Sequence, residues 1–169
     1  MSRFSELRNH DLFAPFDDDE FATLERVMVE RIYRPGHVLI REGDSAASMS
    51  SAMYVVVDGE VEVFSKRPEG GFGVSKTVGS GAILGLVGLV DDKPRSATCR
   101  AAGRVTAVHL TRAAFAEMYR SKIELAAKFQ FAVARQLATD IRSLDHMLRD
   151  AVIHGNEAAI RDRFDRGEA

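Results

Sequence analysis

Apolar residues near the start of the chain recur at helical spacing. Phe21, Leu24, Val27 and Met28 share a face, and Asp17 to Glu20 stand where a helix N-terminus favours negative charge. The pattern predicts an N-terminal helical region over residues 1–30. From Ile32 to Leu110 the period falls to two, most clearly in "YVVVDGEVEVF". There Tyr54 to Val57 run into an Asp58-Gly59 turn, and Val61 and Val63 alternate with Glu60 and Glu62, which predicts a β-hairpin. Pro35-Gly36, Gly43-Asp44, Gly70-Gly71, Gly79, Gly81 and Gly103 punctuate the rest into short segments. Roughly eight strands fit, the spacing of an antiparallel roll or sandwich over residues 31–110.

After Leu110 glycine and proline vanish until Gly155. "TRAAFAEMYR" reads as one short helix, and Ser121 with Glu124 forms a capping-box pattern that opens a second. The second is expected to run about 33 residues, or about 50 Å. Along it Ala134, Leu137, Ile141, Leu144, Leu148 and Ala151 recur in steps of three and four, the seam of a coiled coil. A small roll leaves part of so long a helix uncovered. The seam therefore predicts a homodimer with Leu137, Ile141, Leu144 and Leu148 at its interface; the alternative is that the stripe packs on the chain's own roll. Helices are thus expected over residues 111–155, followed by a charged tail, 156–169, with a short helix capped by Asn156 and no assigned function.

Composition narrows the partners. The chain has 169 residues, enough for one core, and its 23 basic and 25 acidic residues leave a net charge of −2. No global electrostatic footprint for nucleic acid or an anionic membrane results, so any anion must be met locally. The single cysteine, Cys99, has no internal disulfide partner. The start "MSRFSELRNHDL" lacks the apolar stretch of a signal peptide, and no run approaches the roughly 20 apolar residues of a membrane span. A cytoplasmic location and no membrane insertion are expected.

The stretch "GAILGLVGLVDDKPRSAT" carries the candidate chemistry. Gly85 and Gly88 let backbone N–H groups approach an anion, and a returning Arg95 offers paired hydrogen bonds to phosphate oxygens. Taken alone, the stretch has a second reading, a charged surface turn in which Arg95 pairs with Asp91 or Asp92.

Together, "RPGHVLIREGDSAASMSSAMYVVVDGEVEVF", "VGSGAILGLVGLVDDKPRSATCRA" and the two helices resemble the cyclic-nucleotide-binding domain family from about residue 10 to 150. The resemblance implies an α+β fold: a jelly-roll-like antiparallel β-roll, or double-stranded β-helix, with flanking helices and a long C-terminal dimerisation helix. It implies no catalytic residue, and a cyclic nucleotide such as cAMP or cGMP as the ligand. Its phosphate-binding cassette maps to residues 83–98, with Gly85, Leu86, Val87, Gly88, Arg95, Ser96 and Ala97 as ligand-binding positions. Arg95 would take the equatorial phosphate oxygens, Ser96 would add a phosphate hydrogen bond, and Gly85 and Gly88 would offer backbone contact. In the family the C-terminal helix also closes over the base, which places Thr139 and Asp140 there.

One position departs from the pattern. Leu86 stands where the family carries a glutamate that accepts the ribose 2′-hydroxyl. Losing a hydrogen bond to a charged group costs about 1.5–3 kcal/mol, and a ribose hydroxyl buried against leucine also loses its water partner, so affinity for a 3′,5′-cyclic ribonucleotide should fall by about 10- to 1000-fold. Three outcomes stay open: weakened binding, a different ligand packed on Leu86, or an empty pocket in a degenerate domain that serves dimerisation and protein interaction. A Leu86→Glu change is expected to tighten cyclic-nucleotide binding.

Two rival functions fit less well. His10, His37, His109, His146 and His154 lie far apart with no ligand spacing, so neither a metal site nor a cofactor is expected. A DNA-binding regulator of the catabolite activator type needs a helix-turn-helix module beyond the long helix, where about 15 residues stand. The expectation is a sensor without direct DNA binding that signals through an output protein or its own dimer.

Overall fold

The computed structural model describes residues 3–49, 51–66 and 71–165, which divide into two compact units, Met1–Val133 and Ala134–Ala169. The first unit opens with a 3-10 helix, Arg3–Leu7, and helix α1, Asp18–Val27. The acidic run before α1 forms a full capping box. The Asp17 carboxylate accepts from the Glu20 backbone N–H at 2.9 Å, and the Glu20 carboxylate accepts from the Asp17 N–H at 2.9 Å.

Eight strands follow among the described residues: β1 Val29–Tyr33, β2 Val38–Ile40, β3 Ala52–Asp58, β4 Val61–Lys66, β5 Phe72–Val78, β6 Ile83–Leu84, β7 Thr98–Ala101 and β8 Val105–Thr111. They build two antiparallel four-stranded sheets, ordered β1-β8-β3-β6 and β2-β7-β4-β5. Every connection except β4 to β5 passes from one sheet to the other, the topology of a jelly roll.

This topology corrects the hairpin expected at Asp58-Gly59. β3 and β4 do not pair: β3 lies between β8 and β6, and β4 between β7 and β5. Gly59, at φ +89°, instead turns a corner between sheets, against the corner joining β7 to β8. The Ala102 N–H donates to the Glu60 carbonyl at 2.9 Å, and a Cβ on Gly59 would meet the Arg104 carbonyl oxygen at 2.3 Å. An Asp-Gly pair supplies the positive φ that a tight turn needs, but it does not choose the strand to be paired. Among the described residues the one true hairpin joins β4 and β5; its Gly70-Gly71 turn lies partly outside them.

The roll interior gathers Tyr33, Ile40, Val56, Val61, Leu84 and Ala107, with Cys99 among them. Burial pushes the Cys99 thiol up to about 11, so it packs as a small apolar group. β8 is buried from Val105 to Leu110, and β3 is likewise buried at Ala52, Met53 and Val55 to Val57; burial on both faces of β3 is why it reads as a continuous apolar run. On the outer face Phe4, Phe13 and Phe21 meet with ring centroids 4.8–5.8 Å apart. Each close aromatic pair contributes about 0.5–1.5 kcal/mol beyond its buried area.

Helices α2, Val87–Val90, α3, Arg112–Ser121, and α4, Ile123–Asp165, complete the chain. In the first unit, Phe129 of α4 packs on Phe16 and Phe115 at 6.2 and 5.8 Å, and Lys128 pairs with Glu20 at 2.5 Å. Ser121 does not cap α4. It is the last residue of α3, and its hydroxyl donates back to the Glu117 carbonyl at 2.9 Å. Thr111 caps α3 instead, accepting from the Ala114 N–H. In the second unit α4 continues through Gly155 and Asn156 to Asp165, longer than expected and without the separate helix capped by Asn156. A glycine inside a helix costs only about 1 kcal/mol, which weakens a helix without ending it.

Two outcomes follow. Gly59→Ala should lower unfolding free energy in urea by about 2 kcal/mol or more, because a side chain at this φ is strained and meets the Arg104 carbonyl. His109 is buried beside the Tyr54 ring, its Nδ1 lacks a hydrogen-bond partner among the described residues, and burial, aided by the Arg31 charge, pulls its pKa down. Its folded pKa therefore lies below its unfolded value. Its contribution to stability is full above about pH 6.5 and is lost as pH falls through the lowered folded pKa. Thermal melts should show Tm dropping on acidification below that point, with a flatter profile in His109→Leu.

Candidate functional site

β6 ends at Leu84, and Gly85, at φ +70°, turns the chain into Leu86 and the single turn of α2. A return segment brings Pro94 beside Ser45 as a β-bridge and sets Arg95 against the Gly43-Asp44 turn. The Arg95 N–H donates to the Asp44 carbonyl at 2.9 Å, and the Gly43 N–H donates to the Arg95 carbonyl at 2.9 Å.

The Arg95 side chain turns inward and is 9% exposed. Nη1 donates to the Gly85 carbonyl at 2.9 Å, and Nη2 donates to the Ala52 carbonyl at 2.8 Å and to Ser51 Oγ. Two glycines make room for it: a Cβ would stand 2.8 Å from Nη1 at Gly85 and 2.1 Å at Gly88. Burial draws the guanidinium's pKa down, with the Tyr54 phenol the largest influence opposing it. Arginine remains charged under such a shift, so a cation is held beneath the surface with carbonyl dipoles around it.

A cavity of about 310 Å³ opens beside Arg95. Its apolar wall is Leu39, Ile40 and Ala52; hydroxyls come from Ser45, Ser48, Ser51 and Tyr54. Arg41 and Asp44 add one charge of each sign. The volume is at the lower end of small-molecule pockets, and the lining is mostly polar, with Leu39, Ile40 and Ala52 as its apolar part, which suits a small charged ligand.

The candidate residues divide. Arg95 lies on the cavity wall, while Gly85 and Gly88 flank its guanidinium. Leu86 is 5% exposed and does not line the cavity; Val87 and Ser96 are exposed, and Ala97 is half-buried. Thr139 and Asp140 belong to the second unit, where their exposed side chains bond within α4: Thr139 Oγ1 donates to the Arg135 carbonyl at 3.1 Å, and Asp140 accepts from Gln136 at 2.9 Å. Along the same helix Leu137 is half-buried, and Ile141, Leu144 and Leu148 are 60%, 54% and 64% exposed.

The surface-turn pairing is made by a different residue. Asp92 pairs with Arg112 at 2.6 Å, and Arg112 also donates to the carbonyls of Ala46, Gly88 and Asp91 at 3.2, 3.3 and 2.9 Å. The first residue of α3 thus clamps the serine-bearing loop to the end of α2. Sequence reasoning passed over that clamp and the polar lining of residues 41–51, although the serine run "SAASMSS" marked a hydroxyl-rich loop.

The geometry has counterparts among known proteins. The chain is similar to the N-terminal domain of a transcriptional regulator from Streptomyces coelicolor A3(2), at 30% identity and TM-score 0.67, covering 82% of this chain and 94% of that one. It is also similar to a cyclic nucleotide-binding domain from Methylobacillus flagellatus KT, at 26% identity and TM-score 0.75, covering 87% and 83%. Among curated proteins, an uncharacterized ABC transporter ATP-binding protein of Mycobacterium tuberculosis is 37% identical over 84 residues, 50% of this chain. The match spans only 24% of that relative's length. The family model described as cyclic nucleotide-binding domain matches residues 30–122, which take in the jelly roll, the Arg95 slot and α3. On that match, over more than half of its length, the chain belongs to the cyclic nucleotide-binding domain family.

Proposed function

We propose that this chain is a non-enzymatic cyclic-nucleotide sensor, of the cAMP or cGMP class, working in the cytoplasm. The observation that carries the reading is the buried Arg95 guanidinium on the wall of a 310 Å³ cavity edged with hydroxyls. A cyclic phosphate entering there offers charged oxygens in place of Ser51 Oγ and the Ala52 carbonyl, and charge-assisted bonds to guanidinium are about twice as strong as neutral ones. Affinity is modest, because Leu86 supplies no acceptor for a ribose hydroxyl. The signal passes to an output protein or through a homodimer seamed by Leu137, Ile141, Leu144 and Leu148.

A second reading has its own support. Arg95 already has internal acceptors in Gly85, Ala52 and Ser51, which also suits a structural arginine in a degenerate domain retained for protein interaction.

Calorimetry separates the two. The wild type should bind cAMP or cGMP, and Arg95→Ala should weaken binding about 10- to 100-fold, the loss of charged hydrogen bonds worth about 1.5–3 kcal/mol. Gly88→Ala should do the same by displacing the guanidinium. No binding by the wild type up to millimolar nucleotide favours the interaction reading. For the seam, light scattering should find a dimer that Leu144→Lys converts to monomer; a persisting dimer would place the interface elsewhere.

A further inference from the structure

A ribose 2′-hydroxyl brought into this pocket needs an acceptor, and position 86 offers none: Leu86 is apolar, buried and off the cavity wall. One acidic residue does line that cavity, Asp44. Its carboxylate makes no hydrogen bond or ion pair with any described residue, although Arg41 lines the same cavity. Its backbone is tied to the phosphate grip, since the Arg95 N–H donates to the Asp44 carbonyl at 2.9 Å. The Asp44 backbone is therefore fixed next to that of Arg95, and its carboxylate has no partner among the described residues.

Charge balance narrows the ligand. Arg41 and Arg95 against Asp44 leave the cavity wall with a net charge of +1. A phosphodiester carries one negative charge and neutralises that wall, whereas a phosphate monoester carries about 1.5–2 at neutral pH and overshoots it. An unpaired carboxylate near an anion is unfavourable unless it receives a donor, and a hydroxyl adjacent to the phosphodiester is such a donor.

We propose, building on the cyclic-nucleotide reading, that Asp44 is the specificity-determining acceptor of this pocket. It takes the sugar hydroxyl that the residue at position 86 cannot, so that the preferred ligand is a monoanionic cyclic phosphodiester bearing a free 2′-hydroxyl. Arg95 holds the phosphate, Asp44 reads the sugar, and the Ser45 and Ser51 hydroxyls adjust to either charge.

The test compares cAMP with 2′-deoxy-cAMP by calorimetry on the full chain, in wild type, Asp44→Ala and Asp44→Asn. Because the Asp44 side chain is exposed and has no partner among the described residues, its removal should leave the melting temperature within a few degrees, checked in parallel. The wild type should bind the ribonucleotide about 10-fold or more tighter than the deoxynucleotide. In Asp44→Ala that ratio should fall to within about twofold of unity, with the deoxynucleotide bound as tightly as before or tighter; Asp44→Asn should lie between. A wild-type ratio near one, or a ratio that survives Asp44→Ala, overturns the assignment while leaving the sensor reading standing. Failure of the wild type to bind either nucleotide, or the same pair built on cGMP, overturns the sensor reading and this assignment with it.

Discussion

The guanidinium of Arg95 is a charge placed below the surface, and its burial constrains everything near it. A cation out of water must find acceptors, and here they are the carbonyls of Gly85 and Ala52 and the hydroxyl of Ser51. Those acceptors come from the start of β3 and from the loop after β6, elements of one sheet, while Arg95 leads into β7 of the other. The arginine thereby crosses between the two layers of the roll. Gly85 and Gly88 are required on the same account, because a methyl group at either position would enter the space the guanidinium occupies.

The same arrangement relates fold to function. An arginine held by neutral carbonyls and a hydroxyl is stable without a ligand, yet those partners are weaker acceptors than a phosphate oxygen. The serine-bearing loop that supplies Ser51 also lines the cavity, and Arg112 clamps this loop and the end of α2 to the start of α3. A ligand that reorganises the acceptors around Arg95 therefore acts on segments already fastened to α3.

Much of the local structure was legible from residue types. The Asp17–Glu20 run became the capping box of α1, and the change of period at Ile32 marked the passage from helix to roll. The glycine-punctuated stretch through Arg95 marked the two glycines that make room for its guanidinium. The Asp58-Gly59 signal was sound as a turn and misleading as a hairpin, because the dipeptide encodes only the backbone's sign of φ. Ser121 misled similarly. Its hydroxyl can serve a helix start or bond back four residues, and the sequence contains nothing to choose between these. The cavity's polar lining went unread because serines in a loop are ordinary until the fold turns them toward one space.

What the sequence determined by itself is therefore what short spacing encodes: where helix gives way to strand, where the chain turns, and that Arg95 follows two glycines. Only the tertiary structure decided which strands pair, since in this jelly roll sequential strands other than β4 and β5 lie in different sheets and their partners are distant in the chain. It also decided where the charge of Arg95 goes. Its acceptors Ser51 and Ala52 lie 44 and 43 residues earlier, and nothing in local propensity can bring them to it. Local sequence specifies backbone conformation through sterics and nearby hydrogen bonds; a binding cavity arises where remote segments bury a shared set of groups, and that depends on the packing of the whole unit.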